Sequence, residues 1–370
     1  MYTRIARAVG TLLGAAVLTQ WVGTAAAHVD YVVDGGEGPS TGELLAAVAS
    51  DPVAIAAMAG GALIVAVAAA VYLSAKPLAA DVAAFRHAMD EYRHLVPWLV
   101  RISVGFPLVG AGFAGYLFSP AVDVQLRIPQ VVLGFLILFG LATRVAALVG
   151  LLAYLGALVR YPDLLLALEF VPGLLAVALI GPGSPSADEV LARVASAEGT
   201  VYGGIDPVTD LTGVLNDRLA RYEPHLPTVL RAGLGASFLY LGITQKLLEP
   251  GPALAVVAKY HLTSVVPVSP ELWVVGAGLA EAAVGVVILL GLFTRASCLV
   301  AFGLFATTLF GLPDDPVVAH LALFGLVSAL LITGSGPLSV DRLVAERVGT
   351  AGDEKRHEPP AEGSPAGTGD

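Results

Sequence analysis

The sequence predicts an all-α, polytopic membrane protein, and three observations predict it. Of its 370 residues, 56% are apolar and only 14% are charged, against about 25% charged in an average soluble domain. Mean hydropathy is +0.79. The apolar residues also fall in runs of about 20, the length an α-helix needs to cross the ~30 Å hydrocarbon core. The same composition excludes a disordered, collagen-like or disulfide-rich chain. Cys298 is the one cysteine, so an intrachain disulfide and a CxxC redox or metal motif are ruled out. Thirty acidic against 20 basic residues give a net charge of −10 and argue against nucleic acid as a partner.

Arg4 and Arg7, an apolar stretch to about Val22 and Ala25-Ala26-Ala27 before His28 read as a signal peptide over 1–27, or a retained signal anchor. Residues 28–51 carry Asp30, Asp34, Gly35-Gly36, Glu37 and Pro39 and read as an extracytoplasmic loop. Pro52 to Leu73 is uncharged and long enough to span, and Lys76-Pro77 closes it. Residues 78–94 mix charged and apolar positions at helical spacing, as an amphipathic connector on the membrane surface does, so 52–96 is one helix plus connector. Two clusters of apolar runs follow. The first has spans near 97–118, 127–142, 144–160 and 163–180, within a unit covering 97–193. The second has spans near 227–248, 271–292, 295–311 and 316–333, within a unit covering 227–347. The polar stretch 194–226 between them reads as a cytoplasmic linker, and 348–370 as a disordered tail.

Charge sets the expected orientation. With the N-terminus inside, all of the 20 basic residues except Arg127, Arg160, Lys246 and Lys259 fall on the cytoplasmic side, a clear positive-inside bias. The C-terminus is then cytoplasmic and residues 28–51 are outside.

The two clusters repeat each other. Pro97, Arg101, Gly105, Gly112, Leu117 and Pro120 match Pro227, Arg231, Gly235, Gly242, Leu247 and Pro250. Further along, Gly134, Gly140 and Thr143-Arg144 match Gly285, Gly291 and Thr294-Arg295, and Gly181, Gly183, Ser186 and Asp188 match Gly334, Gly336, Ser339 and Asp341. Both units start and end on the same side, so they are parallel repeats. The second has about 21 additional residues after its first span. Gly-x-x-x-Gly-like spacings suit close helix packing.

The second unit, with Arg231, Gly235, Gly242, Lys246, Glu281, Gly285 and the Gly-Leu-Phe-Thr294-Arg295 turn, resembles the DoxX/DoxD family of four-helix membrane proteins. The first is a degenerate copy, with Tyr116 in place of Lys246 and Gln130 in place of Glu281. The resemblance implies a small membrane subunit in electron-transfer or thiol/sulfur oxidation assemblies, such as quinone-linked thiosulfate oxidation.

Ionisable groups inside a bilayer are costly and mark either function or a buried partner. Lys246, Glu281, Glu169 and His320 are the candidates for a polar pocket or proton relay. On antiparallel neighbouring helices Lys246 contacts Glu281 if the lysine reaches inward; the pair reads either as part of a polar pocket or as a structural helix–helix pair, with Lys246 merely snorkelling to the interface. His320 aligns with Glu169, which points to proton handling, although a lone membrane histidine is commonly a hydrogen-bonded interior residue. Arg101, Arg144, Arg231 and Arg295 read as interface anchors, Tyr240 and Trp273 as packing or belt residues. His28 could chelate copper only if it became the mature N-terminus. No catalytic residue, metal ligand set or nucleotide motif stands out. The function expected is a DoxX-like subunit supporting quinone-linked redox chemistry, with a quinone as the cofactor and a soluble or membrane redox protein as partner. The alternatives are a non-catalytic membrane scaffold or a small-solute transporter. Four lysines against sixteen arginines and acidic loops fit a salt-adapted proteome.

Overall fold

A computed structural model describes residues 38–75, 77–124, 127–205, 213, 215–216 and 218–344. The signal segment 1–27 with its cleavage site, His28 and the tail 348–370 lie outside the described residues.

Every run expected to cross the membrane carries a helix. Six helical stretches are long and apolar enough to span: 52–75, 79–114, 143–160, 223–248, 270–290 and 294–311. Ile128–Phe139, Phe170–Ile180 and Val317–Thr333 are shorter apolar helices. The protein is an all-α polytopic membrane protein with one small β-ribbon.

Residues 38–51 are not simply a loop. Helix α1 spans Thr41–Ser50 and starts at a capping box, in which the Ser40 side chain accepts from the Glu43 amide and Glu43 reaches back to the Ser40 amide. Leu44 and Val48, one turn apart, are buried. The expectation of an open loop there weighed the polar residues before Ser40 and overlooked this cap. Helix α2 (Pro52–Ala75) is apolar on every side and buries only Ala54, the pattern of a helix immersed in lipid. Helix α3 (Ala79–Glu91) buries no residue, as an interfacial connector should.

The first unit consists of α4 (Val96–Ala114), strands β1 (Tyr116–Leu117) and β2 (Ser119–Asp123), α5 (Arg127–Phe139), α6 (Thr143–Arg160), a 3₁₀ turn at Pro162–Ala167, and α7 (Phe170–Ile180). β1 and β2 pair antiparallel. α8 (Ala187–Ala195) follows, capped by Ser186. The second unit consists of α9 (Leu226–Gly242) with a π-helical turn at Ile243–Leu248, α10 (Pro250–Lys259), α11 (Leu262–Val265), α12 (Pro270–Leu290), α13 (Thr294–Gly311) and α14 (Val317–Thr333). The additional residues of this unit are therefore α10 and α11.

Within each unit the first and second helices pack together, as do the third and fourth. Between units, α4 packs on α14 and α9 on α7, so the first helix of each lies against the fourth of the other. One apolar core, with Val104, Leu108, Leu174, Leu234 and Leu326, runs through both units. A smaller one, with Leu44, Val48, Val257 and Trp273, sits under α1.

Glycine sets the closeness of the first two helices. A Cβ on Gly235 would stand 2.8 Å from the Gly285 carbonyl oxygen, and one on Gly105 would stand 2.9 Å from that of Gly134. Helices in lipid lack a hydrophobic drive to associate, so this close backbone approach is what packs them.

The four arginines expected at the lipid interface are corrected by the structure. Arg101, Arg144 and Arg231 are buried, and all four donate to carbonyls at helix C-termini or in the turns that follow them. Arg101 donates to the carbonyls of Pro182 and Pro185, Arg231 to those of Leu289 and Leu338, Arg144 to Ala178 and Leu179, and Arg295 to Leu331 and Ile332. The Leu289, Ala178, Leu179, Leu331 and Ile332 carbonyls belong to the last turns of their helices and lack a partner there, those of Pro182, Pro185 and Leu338 lie in the turns beyond, and a guanidinium offers five donors in a fixed fork. Asp188 and Asp341 complete each turn, accepting from the amides of Ala142 and Thr143, and of Phe293 and Thr294. The same clasp thus recurs in both units at the motif positions Arg231, Thr294 and Arg295.

Candidate functional site

The structure places the four candidate residues in three separate settings, all toward the bundle end that carries the β-ribbon and α10.

The first setting is closed. The π turn adds a residue to the end of α9 and swings Lys246 inward, where its ammonium donates to Glu281 of α12. Lys246 is 0% exposed and Glu281 4%. The snorkelling reading of Lys246 is therefore corrected: the lysine is turned into the bundle because a carboxylate waits there. Gly242 and Gly278 make the approach possible, since a Cβ on either would meet the other's carbonyl oxygen at 2.7–2.8 Å. The corresponding position in the first unit holds a neutral group. Gln130 accepts from the Phe118 amide and donates to the Leu108 and Tyr116 carbonyls, fastening the β-ribbon to α4.

The second setting holds His320, on the first turn of α14 and fully buried. Its Nε2 is 3.5 Å from Oδ2 of Asp315, and Phe305 stands edge-on at 6.4 Å between ring centroids. Sequence reasoning missed Asp315. It lies in the polar Pro-Asp-Asp-Pro turn after α13, where an exposed carboxylate is the ordinary expectation. Its neighbour Asp314 meets that expectation, pairing outward with Lys259 at 2.8 Å and Tyr260 at 2.9 Å. The lysine and tyrosine hydrogen bonds hold the Asp314 carboxyl below its ordinary range, whereas burial pushes that of Asp315 up to about 7.

The third setting is open. Glu169, 2% exposed, precedes the first residue of α7 and lines a cavity of about 140 Å³. Pro107, Gly110 and Ala111 of α4 form one wall, Tyr116 and Phe118 of the ribbon a second, and Pro316, Val318 and Ala319 of α14 a third. The cavity is an apolar, partly aromatic chamber with a single carboxyl group. Phe118, Tyr154 and Phe170 pack edge-on or tilted behind it. Gly110 lets α4 and α14 approach closely at this wall: a Cβ there would stand only 3.1 Å from Val318 Cγ1. Tyr240 stands at the corresponding position of the second unit. Among the described residues, no three His, Cys, Asp or Glu side chains are grouped to hold a metal ion.

Residues 226–321, about a quarter of the chain, match the DoxX family model, so this part of the second unit is similar to a DoxX domain, within a chain whose helices make it a multi-pass membrane protein. No curated protein and no solved structure matches the chain. The match contains the Lys246–Glu281 pair and the start of α14, while Glu169 lies in the unit outside it.

Proposed function

We propose that this DoxX-like membrane protein supports quinone-linked redox chemistry and that the Glu169 cavity receives the quinone ring. The cavity is the observation that supports the reading. Its 140 Å³ is close to the roughly 150 Å³ of an apolar cavity that takes one benzene ring. Small-molecule sites are mostly apolar and have a few placed polar groups that fix orientation. Glu169 is such a group: as an acid it donates to a quinone oxygen, and as a carboxylate it accepts from a quinol hydroxyl. The apolar tail would leave the ring toward lipid. Quinone enters here as a bound reactant, and the electron-transfer partner is a separate protein.

The test is binding of a short-chain benzoquinone to the full chain in lipid nanodiscs. Glu169→Gln keeps the shape and is expected to weaken binding about tenfold, which corresponds to about 1.4 kcal/mol, the scale of one hydrogen bond to a charged group. Gly110→Leu fills the chamber and is expected to abolish binding. Equal binding by the parent and both variants would sink the reading.

A second reading, a non-catalytic scaffold, has its own support: Lys246, Glu281 and His320 are all engaged with protein partners. It expects a redox protein to co-purify stably with the chain and no quinone to be found in the lipid extract of the complex.

A further inference from the structure

The first helix of each unit lies against the fourth of the other, α4 on α14 and α9 on α7, and corresponding residues of these two contacts differ in size in a reciprocal way. Ser103 and Gly233 each stand two residues after the clasp arginine of their first helix, Arg101 or Arg231. Pro172 and Gly325 each stand nine residues before the glycine that ends their fourth helix, Gly181 or Gly334. In the first contact the buried Ser103 side chain fills the space over Gly325: a Cβ on that glycine would lie 1.5 Å from Ser103 Oγ and 2.5 Å from its Cβ. In the second contact the helices exchange roles, and a Cβ on Gly233 would lie 2.2 Å from both Cβ and Cγ of Pro172. Both larger residues belong to the first unit and both glycines to the second.

Where the two fourth helices meet, the order is reversed. Gly173 and Leu326 each stand eight residues before the same closing glycines. Leu326 Cδ1 lies 3.5 Å from where a Cβ on Gly173 would be, and Val104 Cγ2 lies 2.7 Å from it. Here the first unit supplies the glycine and the second the larger side chain. The Ser103 hydroxyl adds nothing across the contact, since it donates to the Leu99 carbonyl of its own helix at 2.6 Å. Shape is what the three contacts read.

We infer that these exchanged contacts form a recognition surface through which each unit accepts the other and excludes a copy of itself. Helices in lipid associate by close packing, and an overfilled contact and an empty one both cost stability. Two first units side by side would set Ser103 against Pro172 on both flanks and glycine against glycine between the fourth helices. Two second units would set glycine against glycine on both flanks and Leu326 against Leu326 between the fourth helices. Each like pairing is thus too full at one place and too empty at another, and only the mixed pairing fits throughout. Building misfit into the wrong pairing is a general route to specificity.

The pairing reaches the Glu169 cavity. Ser103 faces Gly325 and Gly110 faces Val318, so α4 and α14 run antiparallel in one register, and the two contacts lie about 10 Å apart along the helices. Pro107, Gly110 and Ala111 of the first unit and Pro316, Val318 and Ala319 of the second wall the chamber. Ser103 and Gly325 are therefore positioning residues for it, because they set how closely its α4 and α14 walls approach. At the position of Gly110 the second unit carries Tyr240. A chamber walled by Gly110 and Val318 exists only in the mixed pairing, whatever it binds.

The test uses the full chain in detergent and reads melting temperature by fluorescence-detected size exclusion. Gly233→Ala with Gly325→Ala sets side chain against side chain on both flanks, as two first units would, and is expected to lower the melting temperature by about 5 °C or more. Ser103→Gly with Pro172→Gly sets glycine against glycine on both flanks, as two second units would, and is also expected to lower it. All four changes together move the larger residue to the second unit on each flank. That variant is expected to melt above the two-alanine variant, although its two further changes are destabilising on their own. A fourfold variant that folds but melts at or below the two-alanine variant overturns the inference, because the losses then simply add. A single flank gives the same answer if the fourfold variant does not fold. With Ser103→Gly, the nearest obstacle left to a Cβ at position 325 is the Cα of residue 103 at 3.3 Å. Gly325→Ala is therefore expected to be rescued by Ser103→Gly and not by Pro172→Gly. Rescue by neither, or by both equally, overturns the inference.

Discussion

Replacing Lys246 with Ala is expected to cost the folded protein about 3–5 kcal/mol, the penalty for removing one partner of a buried ion pair. The cost arises less from the lost attraction than from what remains. Glu281 is 4% exposed, and without Lys246 its charge would be stranded inside a membrane bundle. Thermal unfolding followed by fluorescence-detected size exclusion in detergent would show it as a large drop in melting temperature or as loss of the monodisperse peak. The double variant Lys246→Met with Glu281→Leu removes both charges and keeps the volume. It is expected to restore the melting temperature to that of the parent or above, because replacing a whole buried pair with apolar residues is often neutral or stabilising. A double variant that folds as well as the parent and still supports electron transfer would make the pair a structural lock. One that folds and fails would return Lys246 and Glu281 to the list of functional residues.

The second large effect is expected at Gly242. An alanine there would put its Cβ 2.7 Å from the Gly278 carbonyl oxygen and 2.9 Å from the Ala282 amide nitrogen. Both obstacles are backbone, so α9 and α12 would have to separate along their contact, at a cost of about 1–3 kcal/mol for overpacking. The separation would also draw Lys246 away from Glu281, adding part of the first penalty. Gly303 is the control. It lies within α13 with nothing near its missing Cβ, so Gly303→Ala is expected to be neutral or to stabilise by up to about 1 kcal/mol through helix propensity alone. Melting temperatures of the two variants measured side by side check the contrast. Equal behaviour would mean that the close approach of α9 and α12 does not hold the bundle together.

Much of the bundle was legible because it is locally encoded. A membrane helix announces itself as an uninterrupted apolar run, and its ends as Gly, Pro and charged residues, whatever lies beside it. The additional residues of the second unit were visible as an offset but not as α10 and α11. Their apolar content is interrupted by Pro250, Pro252 and Pro267, which mask short helices. Helix α1 was missed for a related reason: ten residues with two buried apolar positions give too little periodicity to outweigh the polar stretch before them.

The site was legible in part. Intramembrane Glu169, His320, Lys246 and Glu281 were singled out by the cost of burying charge, and that cost is a property of residue type. The Lys246–Glu281 contact followed from placing the two on antiparallel neighbours, but what Glu169 and His320 face is not a property of residue type. The π turn that aims Lys246 inward has no separate sequence signal, and Gln130 and Glu281 at matching positions do opposite things: one fastens a ribbon, the other holds a lysine. Asp315 was hidden because an aspartate between prolines reads as a surface turn.

The sequence by itself determined that this is an all-α membrane protein, and it led to the expectation of two similar clusters of spans, the second resembling DoxX, with a handful of ionisable groups as candidates for chemistry. Only the tertiary structure decided that Lys246, Glu281 and His320 face protein partners and that Glu169 lines a cavity. It also decided that the arginines recurring in both units are internal clasps rather than interface anchors. The physical reason is distance along the chain. Hydropathy acts over one helix length and can be read from neighbours in sequence. Pairing a lysine with a carboxylate 35 residues on, or closing a chamber from α4, the ribbon, α7 and α14, depends on which backbones approach closely enough to touch.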